Sequence, residues 1–187
     1  MRNWPLHRLM LRLFSIQNLV LLGGSVLILQ FVILADASNY LKQYSGGMGF
    51  LDNRLWYSPM MALDMLEACG ARGRQLYFIV EVSADLFYVL LRSLFMLACL
   101  LWLVPRQQWR RFHVILPLVI GGLDAFENIG IIALIWQYPH CSYVLAVLTG
   151  LFTALKWVSC GVFIVMICVY GYFAIRGGLA RWLIRKY

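Results

Sequence analysis

Four stretches of this chain are apolar over lengths that fit the thickness of a lipid bilayer. They cover residues 19–34, 76–104, 114–136 and 143–175, and a spanning helix needs roughly 20 mostly apolar residues. The first stretch reaches that length with its flanks. Backbone groups in lipid must bond to one another, which allows only helices or a closed barrel, and the alternating pattern of barrel strands does not occur here. The sequence therefore predicts an all-α membrane protein.

The predicted architecture is a single membrane domain over residues 1–187, built as a four-transmembrane-helix bundle with a short extracytoplasmic cap helix. Ser58-Pro59 is typical of an N-cap followed by proline at the first helical position, and Gly70 indicates the end of that helix. This places the cap helix at about 59–69. The spans are expected at about 15–36, 76–104, 114–137 and 143–175.

The charges outside the spans predict the orientation. Three segments carry only basic residues: those before the first span, between the second and third, and after the fourth. The connection over residues 35–75 balances four basic with four acidic side chains, and the one over residues 138–142 carries none of either. By the positive-inside rule the basic segments are cytoplasmic, so both termini are expected on the cytoplasmic side of the cell inner membrane. The basic residues are Arg2, Arg8, Arg12, Arg106, Arg110, Arg111, Arg176, Arg181, Arg185 and Lys186.

The same distribution argues against several classes of function. The net charge of +8 is explained by orientation and by attraction to anionic headgroups, so no nucleic-acid partner is expected. The cysteines and histidines show no zinc-type spacing and no Cys-x-x-Cys, so no metal site and no cofactor are expected. Cys69 and Cys141 are the two cysteines in the outer connections, where a disulfide between them is an open alternative.

Six ionisable residues interrupt the second, third and fourth spans. Each is costly in lipid, about 2.5–3.5 kcal/mol at the centre of a bilayer, so these side chains are expected to face one another. Helical spacing supports this, because the polar positions of each span recur every three or four residues. The three stripes are Glu81, Asp85, Tyr88 and Arg92; Asp124, Glu127 and Asn128; and Thr149, Thr153, Lys156 and Cys160.

Counting the helical rise from the outer ends of the spans sorts this cluster into two layers. The deeper layer has Asp124 with the bases Lys156 and Arg92. The shallower layer has Glu81, Asp85 and Glu127, with no base of its own. Apposed carboxylates at low dielectric cannot all ionise, so this layer is expected to hold a proton near neutral pH, as general acid/base catalysis requires.

A wider set of residues carries a resemblance. Tyr57-Ser58-Pro59, Gly73-Arg74, Asp85, Leu123-Asp124, Glu127-Asn128 and Lys156-Trp157 resemble the pattern of a family of small bacterial four-helix membrane proteins to which no activity is assigned. A looser similarity connects Glu81 and Asp85 to the sterol isomerase and sigma-2 receptor group, which places acids on facing helices around a lipidic ligand. Lys156 and the run from Leu123 to Asn128 depart from that group. The resemblance implies the fold, and the looser one a lipid pocket.

These observations leave three functional hypotheses. The first is a site that binds or acts on a lipid-like hydrophobic small molecule, with Asp85, Glu127 and Glu81 as the acid/base layer. Asp124, Lys156, Arg92, Asn128 and Tyr88 are then the binding residues. The second is a structural or partner-binding subunit, because polar side chains also hold membrane helices together. The third is proton-coupled transport. A membrane-protein partner or a second copy of the chain stays open, and no particular reaction is predicted.

Overall fold

The computed structural model describes residues 15–104 and 110–176. Four long helices dominate it, and each is long and apolar enough to cross a membrane. The prediction of an all-α four-helix bundle is therefore confirmed. The helices are α1 (Ile16–Tyr44), the short α2 (Pro59–Ala68), α3 (Gly70–Leu103), α4 (Arg111–Gln137) and α5 (Tyr143–Arg176).

Two helices continue beyond their apolar stretches. The first extends to Tyr44, so the connection between α1 and α2 is shorter than the sequence predicts. The third begins at Gly70, directly after α2. The extension of α1 is amphipathic: Ser38 and Leu41 are buried, and it packs against the beginning of α3. A hydropathy pattern misses such an extension because most of its residues are polar. At Gly70, a positive φ of 58° allows α2 and α3 to follow one another directly.

The third helix is the centre of the bundle. It packs against α1, α4 and α5, and α4 packs along α5. The outward faces of the long helices carry exposed apolar side chains, as a lipid-facing surface requires. We call the end of the bundle that carries α2 the cap end, and the end that carries Arg110, Arg111 and Arg176 the basic end.

Both α1 and α3 contain a π-helical segment at the same level of the bundle. These segments are Leu29–Leu34 and Glu81–Asp85, and they contact each other. A π-helical turn widens the helix by one residue and is frequent at functional sites. In α3 the segment begins with Glu81 and ends with Asp85, and both residues are buried.

The connection over residues 45–58 folds into the cap end of the bundle. The Leu51 amide donates a hydrogen bond to the Tyr77 hydroxyl at 3.0 Å, and the Phe50 and Tyr77 rings lie 4.9 Å apart. Tyr57 is 1% exposed and packs on α5 at Gly150. Phe50, Leu51 and Tyr57 are therefore part of the core, because burial removes their apolar side chains from water, whereas Leu55 and Trp56 are exposed.

The two cysteines of the outer connections are not bonded to each other. Cys69 and Cys141 are both free thiols. The Cys69 thiol lies 3.8 Å from the Met65 sulfur, and the Cys141 thiol donates to the Leu134 carbonyl at 3.2 Å.

Candidate functional site

An ion-pair network links the three central helices. Asp124 on α4 pairs with Arg92 of α3 at 2.5 Å and with Lys156 of α5 at 2.9 Å. The same lysine pairs with Glu127 at 2.5 Å, and Thr153 donates to the other Glu127 oxygen at 2.5 Å. The sequence groups Asp124, Lys156 and Arg92 in one layer, and the structure brings their charged groups together.

This network has two acids and two bases, so its formal charge is zero. Buried ion pairs persist only when their charges are matched and hydrogen-bonded, and this arrangement satisfies both conditions. The expectation that Glu127 belongs to a layer without a base is wrong. Lys156 is long enough to reach one helical turn along α4, and it lies between Asp124 and Glu127.

The two acids of α3 have no basic partner at such distances among the described residues. Asp85 accepts a hydrogen bond from the Asn128 amide. Glu81 is 2% exposed, and its Oε2 atom is enclosed without a hydrogen-bond partner. An enclosed acceptor without a donor is costly, so Glu81 is a position where a ligand or water would restore a lost hydrogen bond.

A third acid joins them from the connection between α1 and α2. Asp52 lies in the short 3₁₀ turn Leu51–Asn53, and its Oδ1 atom is also enclosed without a partner. Lys156 donates to the Asp52 backbone carbonyl at 3.5 Å. Burial raises the pKa of Asp52 to about 7, with Lys156 lowering the pKa and Glu127 and Asp124 raising it.

The unpaired acids line a cleft between α1, α3 and α5. Its volume is about 330 Å³, which falls in the range of small-molecule sites. Phe31 of α1 is 70% exposed and Trp157 of α5 is 37% exposed, and both line the cleft. Their exposure places a mouth of the cleft on the apolar outer surface of the bundle. The cleft is lined by Gln30, Phe31, Leu34, Phe50, Asp52, Asn53, Val80, Glu81, Asp85, Tyr88, Arg92, Met96, Asp124, Lys156, Trp157, Cys160 and Ile164.

A second cavity of about 260 Å³ extends the cleft toward the cap end. It shares Gln30, Phe31, Leu34 and Asn53 with the cleft and continues along the polar part of α1. We call it the vestibule. Its further lining is Ala35, Ser38, Asn39 and Lys42.

Toward the basic end, the space between the helices is filled with apolar side chains. Leu100, Leu116, Ile120 and Phe163 form a buried cluster there, with Cys160 at its edge. Beyond it, His113 bonds to the Tyr170 hydroxyl at 2.9 Å. In the described part of the chain, apolar side chains therefore close the polar cluster toward the basic end, and the cleft and vestibule lie on its other sides.

The structure separates the predicted site residues into two groups. Six of them line the cleft. The other two contact residues of its lining: Glu127 pairs with Lys156, and Asn128 donates a hydrogen bond to Asp85. The lining six are Glu81, Asp85, Tyr88, Arg92, Asp124 and Lys156.

Sequence reasoning missed Asp52. It appears there as one of several acids in a polar connection, although the neighbouring Phe50-Leu51 pair is a weak sign of a segment that turns inward. Within residues 15–104 and 110–176, no group of His, Cys, Asp and Glu side chains forms a metal site.

Searches of protein-family models, curated proteins and solved structures find no significant match. The site is therefore defined by its own geometry. The fold is a helical bundle whose four long helices can cross a membrane, with charged residues buried among them.

Proposed function

We propose that this protein is a multi-pass membrane protein that binds a lipid-like hydrophobic small molecule in the cleft between α1, α3 and α5. The observation that carries the proposal is the cleft itself: one wall is apolar and lipid-facing, and its floor holds carboxyl groups without partners. An amphiphile matches this combination, because its apolar part stays in contact with lipid while its polar part reaches the carboxyl groups. Glu81 and Asp85 are the candidate acid/base pair if the molecule is also transformed.

The orientation that we propose places the basic end on the cytoplasmic side of the cell inner membrane. Arg110, Arg111 and Arg176 lie at that end, and α1 carries its Asp36 and Lys42 at the other. The other basic residues that predict this orientation lie outside the residues that the structure describes. The cleft and vestibule then face the outer leaflet.

The two other hypotheses fit the geometry less well. A purely structural cluster would be fully paired and dry, whereas the cleft leaves Glu81 and Asp52 with enclosed, unpartnered oxygens. Proton-coupled transport needs a polar route across the whole bundle. The apolar cluster around Ile120 closes this route toward the basic end in the described conformation.

Filling the cleft tests the proposal. Met96 lines its apolar end, so Met96→Trp should remove the space for an apolar tail. Leu94→Trp, two residues away on the lipid-facing surface, is the matched control. We expect lipid mass spectrometry of gently purified protein to detect a retained amphiphile in the wild type and in Leu94→Trp. Its occupancy should fall about tenfold or more in Met96→Trp.

Equal occupancy in the two variants would show that the retained molecule lies elsewhere. If the wild type retains no amphiphile and binds none that is added, the proposed function is wrong.

A further inference from the structure

We propose that the polar group held in the cleft is a phosphoethanolamine headgroup, with its ammonium on the unpaired carboxyl groups and its phosphate on Arg92. This inference rests on the proposed function and specifies its ligand class. It follows from the order in which charged and apolar side chains line the cleft.

The lining of α3 changes in character from the cap end to the basic end. Glu81 and Asp85 come first, Arg92 follows, and Met96 lies beyond it. On α5, Cys160 and Ile164 complete the apolar end. A zwitterionic phospholipid in the outer leaflet presents its groups in the same order: amine, phosphate, then acyl chains.

The spacing of the two charged regions fits one headgroup. Asp85 and Arg92 are seven residues apart, about 10 Å along the helix axis. Side chains on a helix tilt toward its N-terminus, which for α3 is the cap end, so the arginine head approaches the acids. The Arg92 guanidinium carbon lies 5.2 Å from the centre of the Tyr88 ring, one turn closer to Asp85.

Both acidic and basic residues that line the cleft have atoms without hydrogen-bond partners. Glu81 Oε2 and Asp52 Oδ1 are enclosed acceptors without donors, and Arg92 Nε is an enclosed donor without an acceptor. The other side of the arginine is held by Asp124 at 2.5 Å, which fixes its position. A phosphate oxygen would accept from the guanidinium, and an ammonium would donate to the two carboxyl groups.

This set of atoms distinguishes between headgroups. A primary ammonium has N–H groups for Glu81 and Asp52, whereas the quaternary ammonium of choline has none and would leave both acceptors unsatisfied. Phosphatidylglycerol lacks a cation, and phosphatidylserine adds a carboxylate beside three acids. An unsatisfied buried acceptor weakens binding strongly, so ethanolamine should be preferred.

The level of the site in the bundle also suits a headgroup. The exposed aliphatic residues of α1 extend to Ile33, and Asp36 begins its polar part. Leu34, between them, lines the cleft together with Glu81. The acidic end therefore lies near the level at which α1 leaves the hydrocarbon. The vestibule connects it to the polar surface beside Lys42.

The test is native mass spectrometry of the full chain in detergent with equimolar dioctanoyl phosphatidylethanolamine, phosphatidylcholine and phosphatidylglycerol. We expect the ethanolamine lipid to bind the wild type about tenfold more tightly than the choline lipid. Glu81→Gln should reduce this preference to about threefold or less. Glu67→Gln, which changes an exposed acid on α2, should keep it.

Two further measurements keep the test decisive. Asp52→Asn lies in the connection and should also reduce the preference, which covers the case in which Glu81→Gln fails to fold. Glycerophosphoethanolamine carries the headgroup without acyl chains and should compete only weakly, because the apolar end of the cleft stays empty. Competition at the concentration at which the lipid itself binds would identify a free phosphodiester as the ligand and overturn the lipid assignment.

Equal affinity of the wild type for the ethanolamine and choline lipids would overturn this inference. The inference would also be overturned if Glu81→Gln and Glu67→Gln preferred the ethanolamine lipid over the choline lipid by the same factor. If both lipids bind the wild type equally and Met96→Trp binds neither, the headgroup assignment is wrong but the proposed function still holds. The absence of any bound or retained lipid would instead refute the proposed function.

Discussion

At the scale of single residues, the partners of Lys156 decide how charge is distributed in the bundle. Its ammonium lies between Asp124 and Glu127, while Arg92 neutralises the other side of Asp124. These four residues form a neutral set, in which the Arg92 Nε atom is left without a hydrogen-bond partner. The unpaired acids Glu81, Asp85 and Asp52 are therefore the ones available to a ligand.

The ion-pair network predicts non-additive mutational effects. Asp124→Asn alone should leave Arg92 without an acid, because Lys156 keeps Glu127, and Lys156→Met alone should leave Glu127 without a base. Each should lower the free energy of unfolding by about 3–5 kcal/mol. The double variant retains Arg92 and Glu127, one base and one acid, and should recover about 1–3 kcal/mol of the summed loss.

Unfolding of the purified variants in detergent, followed by circular dichroism, gives these differences. If the two losses add without recovery, Asp124 and Lys156 do not interact directly in the folded protein.

At the scale of elements, the connection over residues 45–58 acts as a part of the core. It brings Asp52 to the cleft because Tyr57 and Leu51 are fixed against α5 and α3. This docking depends on Gly150, where an added Cβ would lie 2.7 Å from the Tyr57 carbonyl oxygen. The residue at this position must therefore lack a side chain.

The docking predicts opposite outcomes for two glycines of the same helix. Gly150→Ala should push the connection away from α5 and destabilise the fold by about 1–3 kcal/mol. At Gly161 an added Cβ meets nothing within 4 Å. Gly161→Ala should therefore change the stability by less than about 1 kcal/mol, in the stabilising direction, through helix propensity.

Thermal unfolding in detergent compares the two variants directly. A Gly150→Ala protein that melts with the wild type would show that the connection does not need this contact.

At the scale of the whole molecule, the proposed orientation determines which leaflet reaches the cleft. We expect Glu67→Cys on α2 to react with a membrane-impermeant maleimide in spheroplasts, and Arg110→Cys to react only after the membrane is permeabilised. Both positions are exposed. At the cap end the native background should come from Cys141, which is partly exposed, because Cys69 is buried and burial raises its pKa to about 11.

The wild-type chain measures the contribution of the native thiols in this experiment. Labelling of Arg110→Cys in intact spheroplasts would reverse the topology and place the cleft in the inner leaflet.

The amino-acid sequence alone determines the number of long helices and the faces on which their polar residues lie. The requirement to bond every backbone group within lipid and the periodicity of a helix depend only on local sequence. Thus the sequence predicts that Glu81, Asp85 and Arg92 on α3, and Asp124 on α4, face the interior, and the structure buries them there to different degrees.

The tertiary structure alone decides which partners these residues take and where the cleft lies. The choice of Lys156 between Asp124 and Glu127 depends on the rotation and axial offset of α4 against α5, which periodicity does not specify. The inward path of Asp52 depends on a connection without periodic pattern, fixed by long-range contacts at Tyr77 and Gly150. The cleft arises because α1 and α5 both pack on α3 and leave space between them.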